Sequence, residues 1–82
     1  MRETKYSPRQ IALREALKEA RLQAGYTQIA LAAAIGRRQP FVSKYEDGEC
    51  RIQTSEWMDV LRILGKDPAD LLKRLQEIEE ER

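Results

Sequence analysis

The stretch GRRQPFVSKYEDG, residues 36–48, gathers Arg37, Arg38, Gln39, Ser43 and Lys44 within eight positions. All five side chains donate hydrogen bonds, and three of them are cations at neutral pH. An arginine fork can clamp a phosphate or bridge O6 and N7 of a guanine, lysine can donate to guanine, and glutamine can bridge an adenine. The chain has no histidine and a single cysteine, Cys50. No metal-ligand cluster and no phosphate-cradling glycine loop accompany the donors, and 82 residues leave little room for a deep pocket. The chemistry on offer is recognition, not catalysis, and no cofactor or metal is expected.

Composition agrees. The chain is 41% apolar and 35% charged, which suits one small helical domain. A lone thiol cannot staple the fold, so packing alone must hold it; this fits a reducing, cytoplasmic setting. No stretch reaches the length of a membrane span, and no apolar block follows the basic N-terminus as a signal peptide requires. The net charge of +1 hides an asymmetry: residues 1–51 carry ten Lys/Arg against six Asp/Glu, residues 52–82 five against eight. The basic half is a mild pointer to a polyanion.

Five elements must position the donors. Residues 1–6 are polar and expected to be frayed. Ser7-Pro8 reads as cap and first turn of a helix with Leu13, Leu17, Ala20 and Ala24 at helical spacing, closed by Gly25. Thr27 caps a short alanine-rich helix over 28–35, with Leu31 and Ile35 inward and Gly36 as the stop. A third helix runs from Gln39-Pro40 to Asp47, buries Val42 and Tyr45, and ends at Gly48. Thr54 or Ser55 is expected to cap a fourth, with Trp57, Val60, Leu61 and Leu64 on its apolar face. Asp67-Pro68 opens a fifth over 68–82, with Leu71, Leu72, Leu75 and Ile78 facing inward. With no sustained alternation, the fold class is all-α.

Two helices of seven or eight residues are too short to stand alone. A short turn at Gly36 makes them cross steeply, which is the geometry of a helix-turn-helix, whose second helix projects and can enter a DNA major groove.

The ordered set Arg21, Gly25, Thr27-Gln28, Leu31-Ala32, Ile35-Gly36, Val42-Ser43 and Tyr45-Glu46-Asp47-Gly48 resembles the helix-turn-helix domain of the Cro and phage-repressor type, the XRE family. Trp57 to Leu64-Gly65 and Asp67-Pro68 continue the likeness, which covers residues 13–72. It implies a compact five-helix bundle of the lambda-repressor-like type, with the helix-turn-helix at helices two and three, binding double-stranded DNA through the major groove.

The resemblance also implies roles. Gln28 matches a phosphate-binding glutamine, aided by backbone N–H groups at the helix start. At least one of Arg37 and Arg38 touches DNA. Gln39 and Lys44 fall at base-reading positions, and Ser43 binds a phosphate or a base. The DNA-binding set is thus Thr27, Gln28, Arg37, Arg38, Gln39, Pro40, Phe41, Ser43, Lys44 and Arg51. Phe41 either meets a thymine methyl or folds back on the core. Arg21 and Glu46 are implied to pair, tying helix one to the recognition helix as a structural contact. The chain departs from the pattern at Ile29 and Ala30, where acidic residues are common, and at Pro40, which biases Gln39 away from helical angles. Glu49 stands where basic residues often hold phosphate, leaving Arg51 as the cation of that loop.

One recognition helix reads few base pairs, so a homodimer on a palindromic operator is expected, with contacts from Ile52, Trp57, Met58 and Ile63 and from Leu72 and Ile78. Trp57 fits a core position better. The leading function is a transcriptional regulator acting as a repressor. The alternatives are an antitoxin that also binds a toxin, and a protein-interaction module without DNA binding.

Overall fold

The computed structural model describes residues 7–78; the N-terminal stretch 1–6 and the last four positions of the expected fifth helix lie outside it. Five helices follow in order: α1 (Pro8–Gln23), α2 (Gln28–Ala34), α3 (Gln39–Asp47), α4 (Thr54–Ile63) and α5 (Pro68–Gln76). No strand occurs among the described residues.

Three of the starts follow from side chains that satisfy a free N–H group in the first turn of the helix. Ser7 Oγ accepts from the Gln10 N–H at 3.1 Å, Thr27 Oγ1 from Ala30 at 3.0 Å, and Asp67 Oδ1 from Ala69 at 3.0 Å. α4 differs from expectation: its cap is Gln53, with Thr54 already helical. The reason is Glu56, whose Oε1 reaches back to accept the Gln53 N–H at 2.8 Å.

α1 is the central element, packing on α3, α4 and α5, while α2 lies chiefly on α3. Leu17, Leu31, Val42 and Val60 have no exposed surface, and Leu13, Tyr45, Ile52, Trp57, Leu61, Leu64 and Leu71 are the other large side chains of the core, with Ala20 and Ala32 between them. Each such side chain stabilises the fold by roughly 1.5–3 kcal/mol. Arg9 fastens the far end, its Nε donating to the Leu75 carbonyl at 2.9 Å.

Two assignments on apolar faces change, at Ala24 and Leu72, while Ile35 and Ile78 sit at helix ends. Ala24 is the exposed C-cap of α1, outside the helical stripe. Ile35 ends α2 as its C-cap, yet still packs half-buried on the core. Leu72 is 48% exposed, because Leu71 and Leu75 hold the buried stripe of α5 and Leu72 lies a hundred degrees round from Leu71. Ile78 follows the end of α5 and is half-buried.

Candidate nucleic-acid interface

The turn between α2 and α3 is set by Gly36, at φ +74°, a left-handed conformation that a side chain would strain. Around it the Gly36 N–H donates to the Ala33 carbonyl at 3.1 Å and the Arg37 N–H to Ala32 at 2.8 Å. This double closure ends α2 sharply and leaves two residues before α3 begins. Arg38 is then the cap of α3, with extended backbone at φ −77° and ψ 153° and no side-chain bond to the helix. Gln39 is the first helical residue, so Pro40 does not dislodge it; a proline at the second position needs no N–H partner.

Val42 and Tyr45 turn inward. The opposite face carries Gln39, Pro40, Lys44 and Asp47, all exposed, with Ser43 half-exposed. Ser43 Oγ donates back to the Pro40 carbonyl at 3.2 Å. Lys44 lies in the last turn, where a cation also favours the helix dipole. Arg38 is exposed at the head of this face, and Arg51 in the loop after it.

α3 is anchored by a buried network. Arg21 Nε donates to Glu46 Oε2 at 2.7 Å and Nη2 to Oε1 at 3.1 Å, with the two side chains 8% and 2% exposed. Arg21 Nη1 also donates to the Tyr26 carbonyl at 2.8 Å. Gln28 joins from α2, its Nε2 donating to Glu46 Oε1 at 2.9 Å. A glutamine amide has two N–H bonds, so the second remains for an outside acceptor. One carboxylate thus joins α1, α2 and α3.

Behind α3, Tyr45 is buried and its hydroxyl has no protein hydrogen-bond partner among the described residues. Burial holds its pKa above the ordinary tyrosine value; the Glu46 carboxylate adds to this and Arg21 opposes it. At the far end Gly48 takes φ +82°, and the Arg14 guanidinium of α1 lies against it: a Cβ there would sit 2.7 Å from Arg14 Cζ.

Two site expectations meet different surroundings. Phe41 is half-buried against the core, edge-on to Tyr45 with centroids 5.4 Å apart. Of its two open roles, core packing is the one the geometry places. Arg37 is not a free fork in a solvated turn: its Cζ lies 4.6 Å from the Phe41 ring centroid and its Nη2 donates to Glu56 Oε2 at 2.8 Å. Glu56 is a residue that sequence reasoning missed. Its place three positions after Gln53 was the available signal, since an acid there often closes a helix start. Of the residues expected at a dimer contact, Ile52 and Trp57 are used in the chain's own core, while Met58, Ile63 and Leu72 are exposed.

The geometry is that of a helix-turn-helix with its second helix held by a buried ion pair and its polar face outward. The family model described as "Helix-turn-helix domain" matches residues 12–75. No curated protein sequence matches the chain. Among solved structures, an XRE-family like protein from Pseudomonas syringae pv. tomato str. DC3000 is 50% identical with a TM-score of 0.78, over 83% of each chain. The clp gene regulator ClgR from Corynebacterium glutamicum is 28% identical with a TM-score of 0.73, over 83% of this chain and 72% of that one. A mutant of the restriction-modification controller protein C.Esp1396I shares the fold at 17% identity, with a TM-score of 0.74 over 84% and 92%. The chain belongs to the XRE family of helix-turn-helix proteins, a class associated with DNA binding in transcription regulation.

No helix among the described residues is long and apolar enough to cross a membrane.

Proposed function

We propose that the chain is a cytoplasmic, sequence-specific regulator of transcription that acts as a repressor, inserting α3 into the major groove as a homodimer on a palindromic operator. The observation that carries this reading is the exposed polar face of α3, Gln39, Ser43 and Lys44, on a helix whose inner side is pinned through Glu46. Gln39 and Lys44 read base edges, adenine and guanine being their natural partners. Ser43 contacts a phosphate or a base. Arg38, the second amide N–H of Gln28 and Arg51 bind phosphate and fix the register, with Thr27 beside Gln28.

Few cations face the duplex, so affinity per protomer is modest and pairing is needed for selectivity. Met58 and Ile63 on α4 and Leu72 on α5, all exposed and apolar, are the surface for a two-fold contact. Selection of bound duplexes from a random pool tests the reading. The expected result is a palindromic site with half-sites about one helical turn apart. Enrichment of no sequence, with binding indifferent to salt, overturns it.

A further inference from the structure

We propose that Arg37 is a positioning residue that sets where the start of α3 sits, and not a contact to the DNA backbone. The proposal rests on the reading of α3 as the recognition helix. Four contacts carry it. The Arg37 guanidinium lies over the Phe41 ring, Cζ 4.6 Å from its centroid, and donates to Glu56 Oε2 at 2.8 Å. Phe41 is the third residue of α3 and stands edge-on to Tyr45. Glu56 uses its other oxygen, Oε1, to accept the Gln53 N–H at the start of α4.

These contacts form a clamp between two helix starts. The first turn of α3 has no side-chain cap, since Arg38 makes no such bond, and Pro40 gives it no N–H. What holds that turn is the Phe41 ring, pressed between Tyr45 and Arg37, and Arg37 is held in turn from α4. The Glu56 side chain is only 17% exposed and the Arg37 side chain 46%, so the pair is partly shielded from water. A guanidinium stacked on an aromatic and bonded to a carboxylate keeps one orientation, which a lysine at the same place does not reproduce. Pulling Arg37 toward a phosphate breaks both contacts and frees the turn that carries Gln39.

The test compares Arg37→Gln, Glu56→Gln and the double variant with the unaltered chain. Gln at 56 keeps an oxygen to accept the Gln53 N–H while removing the charge that holds Arg37. Binding is measured on the duplex selected from a random pool and on unselected duplex across a range of salt. The expected result is that each single variant lowers the preference for the selected duplex by a similar factor, on the order of tenfold, and that the double variant is no worse than either. The salt slope stays that of the unaltered chain. Loss of about 0.9 from the slope of log affinity against log salt in Arg37→Gln, with tighter binding in Glu56→Gln, overturns the proposal, because that is the behaviour of a phosphate contact released from a competitor.

Amide hydrogen exchange of the free chain separates this proposal from the regulatory reading. The Phe41 N–H donates to the Arg38 carbonyl at 2.9 Å and reports the first turn of α3. Its exchange becomes faster in both single variants if the clamp holds that turn, and stays unchanged if it does not. A chain that binds no DNA sinks the regulatory reading, while this exchange still decides for or against the clamp.

Discussion

Arg21 on α1 and Glu46 on α3, 25 residues apart, meet through two hydrogen bonds of 2.7 and 3.1 Å in a site almost closed to water. Taking both charges out of water costs free energy that their attraction and the bonds to Gln28 and the Tyr26 carbonyl offset. Such a pair contributes little net stability against an apolar replacement, but it is exacting about geometry. Removing one member leaves the other buried and uncompensated. Glu46→Ala is expected to cost about 3–5 kcal/mol in urea unfolding, and Arg21→Met with Glu46→Met to recover most of that loss. A loss below about 1 kcal/mol in the single variant would show that the pair is solvated in solution.

Gly25 and Gly48 share one backbone conformation, at φ +81° and +82°, which disfavours any side chain. A Cβ at Gly25 meets nothing within 4 Å, and one at Gly48 meets the Arg14 guanidinium, at 2.7 Å. That group is the far end of a flexible side chain and can shift by the small distance needed. Gly25→Ala and Gly48→Ala are therefore each expected to cost about 1–2 kcal/mol from backbone strain. A markedly larger loss for Gly48→Ala in thermal melts, relieved when Arg14 is shortened to alanine, would show that the guanidinium is held in place.

Much of this arrangement was legible in the sequence, and the boundary of legibility is physical. Ser7, Thr27 and Asp67 cap helices because local side-chain chemistry suffices, and the spacing of Val42 and Tyr45 fixes the inner face of α3. The pairing of Arg21 with Glu46 came through resemblance, not spacing. Leu72 read as inward because its hydrophobicity matches Leu71, yet only one of two adjacent helical residues can face a narrow core. The clamp on Arg37 was not legible at all. Its partner Glu56 is 19 residues away, and only the tertiary fold brings the turn before α3 to the start of α4.

Tyr45 makes stability depend on alkaline pH. Its folded-state pKa is raised above the ordinary value of 10.0, chiefly by burial. Below pH 10.0 the tyrosine is protonated in both states, so its contribution is complete. As pH rises further, the unfolded chain releases the proton first, and stability declines. Tyr45→Phe is expected to remove the part of the alkaline loss due to this residue, and to leave stability at pH 7 unchanged or higher, since the hydroxyl makes no protein hydrogen bond there. Unchanged alkaline sensitivity in denaturant titrations of Tyr45→Phe would count against this account.

Lys44 and Arg38 are expected to behave differently when cut to alanine. Lys44→Ala should lose about 1–3 kcal/mol on the selected duplex and relax the preference at one base pair. Arg38→Ala should weaken binding to all sequences alike and lower the salt slope by about one. Fluorescence anisotropy titrations with matched and mismatched duplexes distinguish the two patterns. The reverse pattern would exchange their roles, and no effect from either would mean that the recognition face is elsewhere.

The most direct measurement is a nuclear magnetic resonance titration of the chain with duplex DNA at low salt, following every backbone amide. If α3 enters the groove, the largest shifts fall on Gln39 to Lys44 and on Gln28, with α5 nearly silent on its solvent side. Shifts centred on α4 and α5 instead, or none at any salt, would contradict the account.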